Sequence, residues 1–156
     1  MAVRQVPAVP SVPAPAASGW RGGDRRAEAD RVLADGLAGY VRAVAGALNV
    51  DAEATAFEVS DTATAYLALS VRSPAHPGRD LMLVWTERQG WALSVETAPT
   101  EPPAVLAYLG PDVVPEPVEV AGFVIGVLTG SSRDGCVPPG VVAGRREVGT
   151  RLARYA

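Results

Sequence analysis

Cys136 and His76 are the only cysteine and the only histidine in the chain, so thiol catalysis would have to bring these two together. A hydrolase needs a nucleophile, a base and a group that orients the base. Cys136 sits in a Gly/Pro-rich stretch and His76 in a loop bounded by Pro74 and Pro77, and nothing around either draws them into contact. A lone Cys closes no intrachain disulfide and supplies no structural zinc site. The acidic residues match no calcium loop. Gly19, Gly22 and Gly23 lack the lysine, the preceding strand and the spacing of a phosphate cradle.

Paired carboxylates are the remaining route to acid–base chemistry. Glu58 with Asp61, or Glu87 with Glu96, would split their pKa values if they lined a cleft. Glu58 and Glu96 fall at strand positions that face solvent and Glu87 borders a turn, so all are expected on the surface. Arg79-Asp80 reads as a surface ion pair at the mouth of a strand, worth under about 1 kcal/mol. The expectation is a non-enzymatic chain without catalytic residues, metal or cofactor.

Composition reports origin before activity. The chain holds 27 Ala, 16 Gly, 14 Pro and 14 Arg with no Lys; Ala, Gly, Pro and Arg have GC-rich codons, which points to a high-GC bacterium. An apolar fraction of 48% suffices for a core and excludes disorder throughout. No apolar run approaches the roughly 20 residues of a membrane helix. Pro7, Pro10, Pro13 and Pro15 interrupt what a signal peptide would need as an apolar stretch. The expected compartment is the cytoplasm, with no membrane partner.

Charge divides the chain. Residues 1–26 balance to +3, residues 27–129 to −9 and residues 130–156 to +3, within a net charge of −3. The acidic middle repels phosphate, so nucleic acid contact is expected only through Arg145, Arg146, Arg151 and Arg154 in the tail. The plainer expectation is that these arginines rest on the protein's own acidic domain.

The organisation that follows is a disordered Pro/Ala-rich tail over 1–23, an α+β domain over 24–130 and a basic, loosely ordered tail over 131–156 with at most a weak helix from Arg145. From Asp24 to Asn49, Leu33, Leu37, Tyr40, Val41, Val44 and Leu48 recur at helical spacing, and Asn49 suits a left-handed terminator. Gly36 and Gly39 would permit close approach to a sheet. Strands are expected at Phe57–Val59, Ala65–Val71, on both sides of Glu87-Arg88-Gln89-Gly90, and at Ala104–Leu109; a helix is expected from about Pro115 to Thr129, stopped by Gly130. If Arg88-Gln89-Gly90 forms the hairpin loop, Trp85 faces Leu93, Leu83 faces Val95, and Leu81, Leu83, Trp85, Trp91, Leu93 and Val95 share one face. The fold class is a two-layer α+β sandwich, an antiparallel sheet of about five strands flanked by an N-terminal and a C-terminal helix.

Glu58-Val59-Ser60-Asp61, Ala65-Tyr66-Leu67-Ala68-Leu69, Arg79-Asp80-Leu81, Gly90-Trp91-Ala92-Leu93 and Val105-Leu106-Ala107-Tyr108-Leu109-Gly110 resemble an uncharacterised family of small actinobacterial proteins, a domain of unknown function. The resemblance spans roughly residues 36–129 and implies an actinomycete source without assigning an activity. A looser similarity is to the type III secretion chaperone-like fold, a helix-on-sheet scaffold that binds proteins. The linker Ala98–Pro103 is too short for the helix that fold inserts between sheet halves, so that likeness concerns architecture alone.

The sheet face turned away from the helices is expected to present Tyr66, Ala68, Met82, Val84 and Ala92, small apolar groups where a solvated face would show more charge. These residues mark an expected docking surface for an unknown protein partner or a second copy. The leading expectation is therefore a non-catalytic interaction or regulatory module. The alternative is a small-molecule site or minor enzyme with a pocket between helix and sheet near Tyr40, Trp85 and Tyr108.

Overall fold

The computed structural model describes residues 17–102, 104–130 and 144–156. Helix α1 spans Ala17–Leu48 and ends where Asn49 turns left-handed at φ 55°. Five strands follow, β1 (Thr55–Val59), β2 (Ala63–Leu69), β3 (Leu81–Thr86), β4 (Gly90–Val95) and β5 (Ala104–Leu109), then helices α2 (Pro117–Thr129) and α3 (Arg145–Leu152). The sheet is an antiparallel meander in the order β1-β2-β3-β4-β5. The expected α+β class holds, with the helical layer on one face.

Alternation sorts the strands. β2 and β3 bury every second residue, and the inward set Ala65, Leu67, Leu83, Trp85, Trp91, Leu93 and Val95 joins Leu33, Leu37, Tyr40, Val41 and Val44 of α1 and Val120, Phe123 and Val124 of α2 in one core. Both indoles lie inward, as the hydrophobic pattern requires. Their pairing differs from the expected one: Thr86 faces Gly90, Trp85 faces Trp91 and Leu83 faces Leu93. The loop is Glu87-Arg88-Gln89, and Gly90, at φ 71°, opens the return strand. A shift of two residues keeps every side chain on its face, which is why the face assignment survives the change of partners. Residue 71 falls outside β2, and Val71 is exposed.

The polar groups of the buried aromatic side chains converge on one short segment after β5. Trp85 donates its indole N–H to the Val113 carbonyl at 2.7 Å, Trp91 donates to the Tyr40 hydroxyl at 3.0 Å, and that hydroxyl donates to the Pro115 carbonyl at 2.5 Å. Each of these three buried donors therefore has a partner, without which burial would cost about 1–3 kcal/mol per group.

Two boundaries need correction. The helix begins at Ala17 rather than Asp24, since propagation adds a hydrogen bond per residue once the buried half is anchored; residues 1–16 lie outside the described residues. The domain also does not close at 130. Within the supposed basic tail, α3 places Val148 and Leu152 in the core with no exposed area. Residues 131–143 lie outside the described residues.

The seat for α3 is made by missing side chains. A Cβ at Gly36 would come within 2.7 Å of the Leu152 backbone carbonyl carbon, and one at Gly39 would fall on the Tyr155 carbonyl oxygen. The close approach read from these glycines is thus to the C-terminal segment, not to the sheet. A Cβ at Gly46 would meet open space. Gly39→Ala is expected to lower stability by about 1–3 kcal/mol through overpacking, whereas Gly46→Ala is expected to raise it by up to about 1 kcal/mol through helix propensity. Thermal or urea denaturation of the two variants beside the wild type reads both signs; equal shifts in the same direction would contradict the packing described.

Candidate functional site

The outer sheet face is built by register. Ala56, Tyr66, Val84, Ala92 and Tyr108 form one row across the strands, and Ala68, Met82, Ser94 and Val105 form the next. All five residues singled out in the sequence share this face. Tyr66, Ala68, Met82 and Val84 are half-buried there, while Ala92 and Ser94 are 7% and 2% exposed because taller side chains stand on both sides. No described helix covers the face. Tyr108 and Val105 extend it, and the sequence reading missed them because a bulge between Leu93 and Ser94 breaks the alternation of β5.

A shallow recess of about 300 Å³ lies at one end of this face, lined by Ala56, Phe57, Glu58, Thr64, Ala65, Tyr66 and Val84. Burial pushes the Tyr66 hydroxyl above its ordinary pKa, helped by the nearby carboxylates of Glu96 and Asp80. The face is apolar in its middle and acidic at its ends.

The carboxylates proposed as pairs are not pairs. Glu87 sits at the hairpin turn and Glu96 beyond the far end of β4, roughly 20 Å away at 3.3 Å per strand residue. Asp61 is fully exposed beside Arg26. Glu87 is also not a surface residue: it is 7% exposed, accepts the Ala63 amide at 2.9 Å and lies 3.4 Å from the Arg145 Nε. Its inward parity with Leu83 and Trp85 was the available signal. Cys136 lies outside the described residues, so the thiol–imidazole pair has no geometry to report. Among the described residues no group of three or more His, Cys, Asp and Glu side chains is placed to hold a metal ion.

The tail arginines rest largely on the domain's own acids. Arg145 donates to the Ser60 carbonyl at 2.7 Å and lies 3.7 Å from Asp30. Arg151 grips both oxygens of Asp112, at 2.5 and 3.0 Å, and donates to the Val114 carbonyl at 2.8 Å. Arg154 pairs with Glu116 at 3.2 Å. Arg146 lines an open groove between α1 and α3. Engaged guanidinia bind an external phosphate poorly, so their placement favours clamping α3 over contact with nucleic acid.

The pocket expected near Tyr40, Trp85 and Tyr108 is filled. Tyr40 and Trp85 are fully buried and hydrogen-bonded in the core, and Tyr108 belongs to the opposite face. The large groove, about 1050 Å³, runs instead between α1 and α3, floored by Ala29, Val32, Leu33, Gly149 and Ala153.

Comparison with known proteins finds a family of unknown function (DUF6292) that matches residues 40–126, a segment holding the end of α1, the whole sheet and most of α2. No curated protein and no solved structure matches the chain, and the likeness to secretion chaperones finds no support there. Among the described residues no helix is long and apolar enough to cross a membrane.

The Arg151 hydrogen bonds hold the Asp112 carboxyl below its ordinary pKa of 3.8, against a smaller opposing effect of burial. The stabilisation is therefore complete above that ordinary value and is lost as pH falls through the lower folded value. The urea midpoint of the wild type is expected to drop more steeply below pH 3.8 than that of Asp112→Asn, and salt should narrow the gap because the pair is half exposed. Parallel acid limbs for the two proteins would contradict the clamp.

Proposed function

The chain belongs to the DUF6292 family of unknown function, and on that footing we propose that it is a non-catalytic protein-interaction module that docks its partner on the outer face of the sheet. The observation that carries this reading is the one-sided architecture. Helices α1 and α2 pack against the inward face, with α3 seated on α1, while Tyr66, Ala68, Met82 and Val84 lie half-buried on the other with no described helix over them. An antiparallel sheet with one solvated face ordinarily alternates apolar inward with polar outward residues, and contiguous apolar patches on a surface mark contact sites. Here the two central rows hold tyrosine, methionine, valine and alanine, with Ser94 the polar exception.

The family match supports the reading in one respect. The matched residues 40–126 contain all five strands, so the sheet that carries the face belongs to the shared part of the chain. Docking and regulation in a soluble cytoplasmic setting fit that arrangement.

Met82→Glu and Val84→Glu place charge on the face without touching the core, so each is expected to change stability by no more than about 0.5 kcal/mol. Pull-down from the source organism, with solution mass measured at micromolar concentration, is expected to show a partner or dimer with the wild type that both variants lose. Retention of the same complex by both variants would remove the outer face from the account.

A further inference from the structure

We propose that the outer sheet face takes a basic partner segment, one that sets an Arg or Lys against Glu58 with its aliphatic stem on Ala56, Tyr66 and Val84. The inference rests on the docking reading above and adds the chemistry of the partner.

The charges on the face select the occupant. The register puts Glu58 at one end of the apolar rows, level with Thr64, and Asp80 and Glu96 at the other, where the Glu96 amide donates to the Asp80 carbonyl at 2.8 Å. No outward position within the five strands carries a cation. Asp80 is held by Arg72 at 3.2 Å, but Glu58 and Glu96 have no ion pair among the described residues. Asp30, Glu87, Asp112, Glu116 and Glu101 each meet an arginine, whereas Asp24, Asp35, Asp51, Glu53, Glu119 and Glu147 share with Glu58 and Glu96 the lack of an ion pair among the described residues but lie off the strands. Two carboxylates without an ion pair among the described residues therefore bracket the apolar rows of the outer sheet face.

The recess beside Tyr66 gives the geometry. Its volume of about 300 Å³ opens between Ala56, Val84 and the Tyr66 ring with Glu58 at its rim. A long cationic side chain suits such a place, because it buries its methylenes and keeps its head at the polar edge. Arg adds stacking on the aromatic face and a two-point match to the carboxylate. A second copy fits less well, since closing two such faces together brings like charges into one interface. An acidic partner is opposed for the same reason.

The test titrates the full chain with fluorescein-labelled peptides of about eight residues, long enough to cross strands spaced about 4.8 Å apart. One probe alternates Val with Arg; the other replaces Arg by citrulline, which keeps the shape and removes the charge. The proposal expects the Arg probe to bind at least about tenfold tighter, the effect of one good charge pair. It expects Glu58→Gln with Glu96→Gln to erase most of that advantage, and Asp35→Asn with Glu147→Gln, the same change in net charge on the helical side, to leave it within about twofold. Equal binding of both probes, weakened alike by Val84→Asn, would overturn the basic partner and leave the docking face standing. Indifference to Val84→Asn, with the two double variants equally weakened, would show unspecific attraction to an acidic protein and overturn both.

Discussion

The four residues Asp112 to Pro115 are the point on which the rest of the structure depends. Their backbone closes over Gly90, where a Cβ would meet the Asp112 carbonyl oxygen and the Val113 Cα at 3.2 Å each. The same segment accepts the Trp85 indole at Val113 and the Tyr40 hydroxyl at Pro115, and it offers Asp112 and the Val114 carbonyl to Arg151. Hairpin, long helix and C-terminal helix are thus tied to one stretch of main chain. Only glycine fits the hairpin there, both for its left-handed φ and for want of space. Once this knot is formed, the register of β3 and β4 is fixed, and with it the face on which every large side chain stands.

That sorting produces the functional asymmetry. Indoles, leucines and Tyr40 fill the inward side, where Tyr40, Trp85 and Trp91 have no exposed area. The other side of the sheet is a mildly apolar surface with acids at its ends, the face proposed for docking. The C-terminal helix belongs to the scaffold. Its arginines neutralise acids on α1, at the hairpin turn and beside α2, while Glu58 and Glu96 of the outer face are among the described acids that meet no arginine.

Much of this was legible in the sequence where a pattern repeats. The helical stripe from Leu33 to Leu48, the alternation through Leu81–Val95 and the Gly130 stop all reappear in place, because burial on one face leaves a period that residues alone reveal. The exact strand partners were not legible: loops that differ by two residues at Gly90 put the same side chains inward, so hydrophobicity alone does not choose between them. The packing of helix α3 into the core was not legible either, although a weak helix from Arg145 was. Val148 and Leu152 give a single apolar pair among arginines, and the glycines that receive it lie more than a hundred residues earlier. Glu87 was misjudged for a related reason. Turn residues are usually solvated, and only its distant partner Arg145 makes burial of its charge tolerable. The bulge in β5, which brings Val105 outward beside Tyr108, has no marker in Ala104–Leu109.

The central claim, that the face opposite the helices is where another protein sits, is tested most directly by a photoreactive residue placed on each side of the molecule. A photo-crosslinking amino acid at Val84 should trap one discrete adduct on irradiation in living cells, whereas the same residue at Val118, 73% exposed on α2, should trap none. Adducts from position 118 alone, or the same products from both positions, would contradict the account.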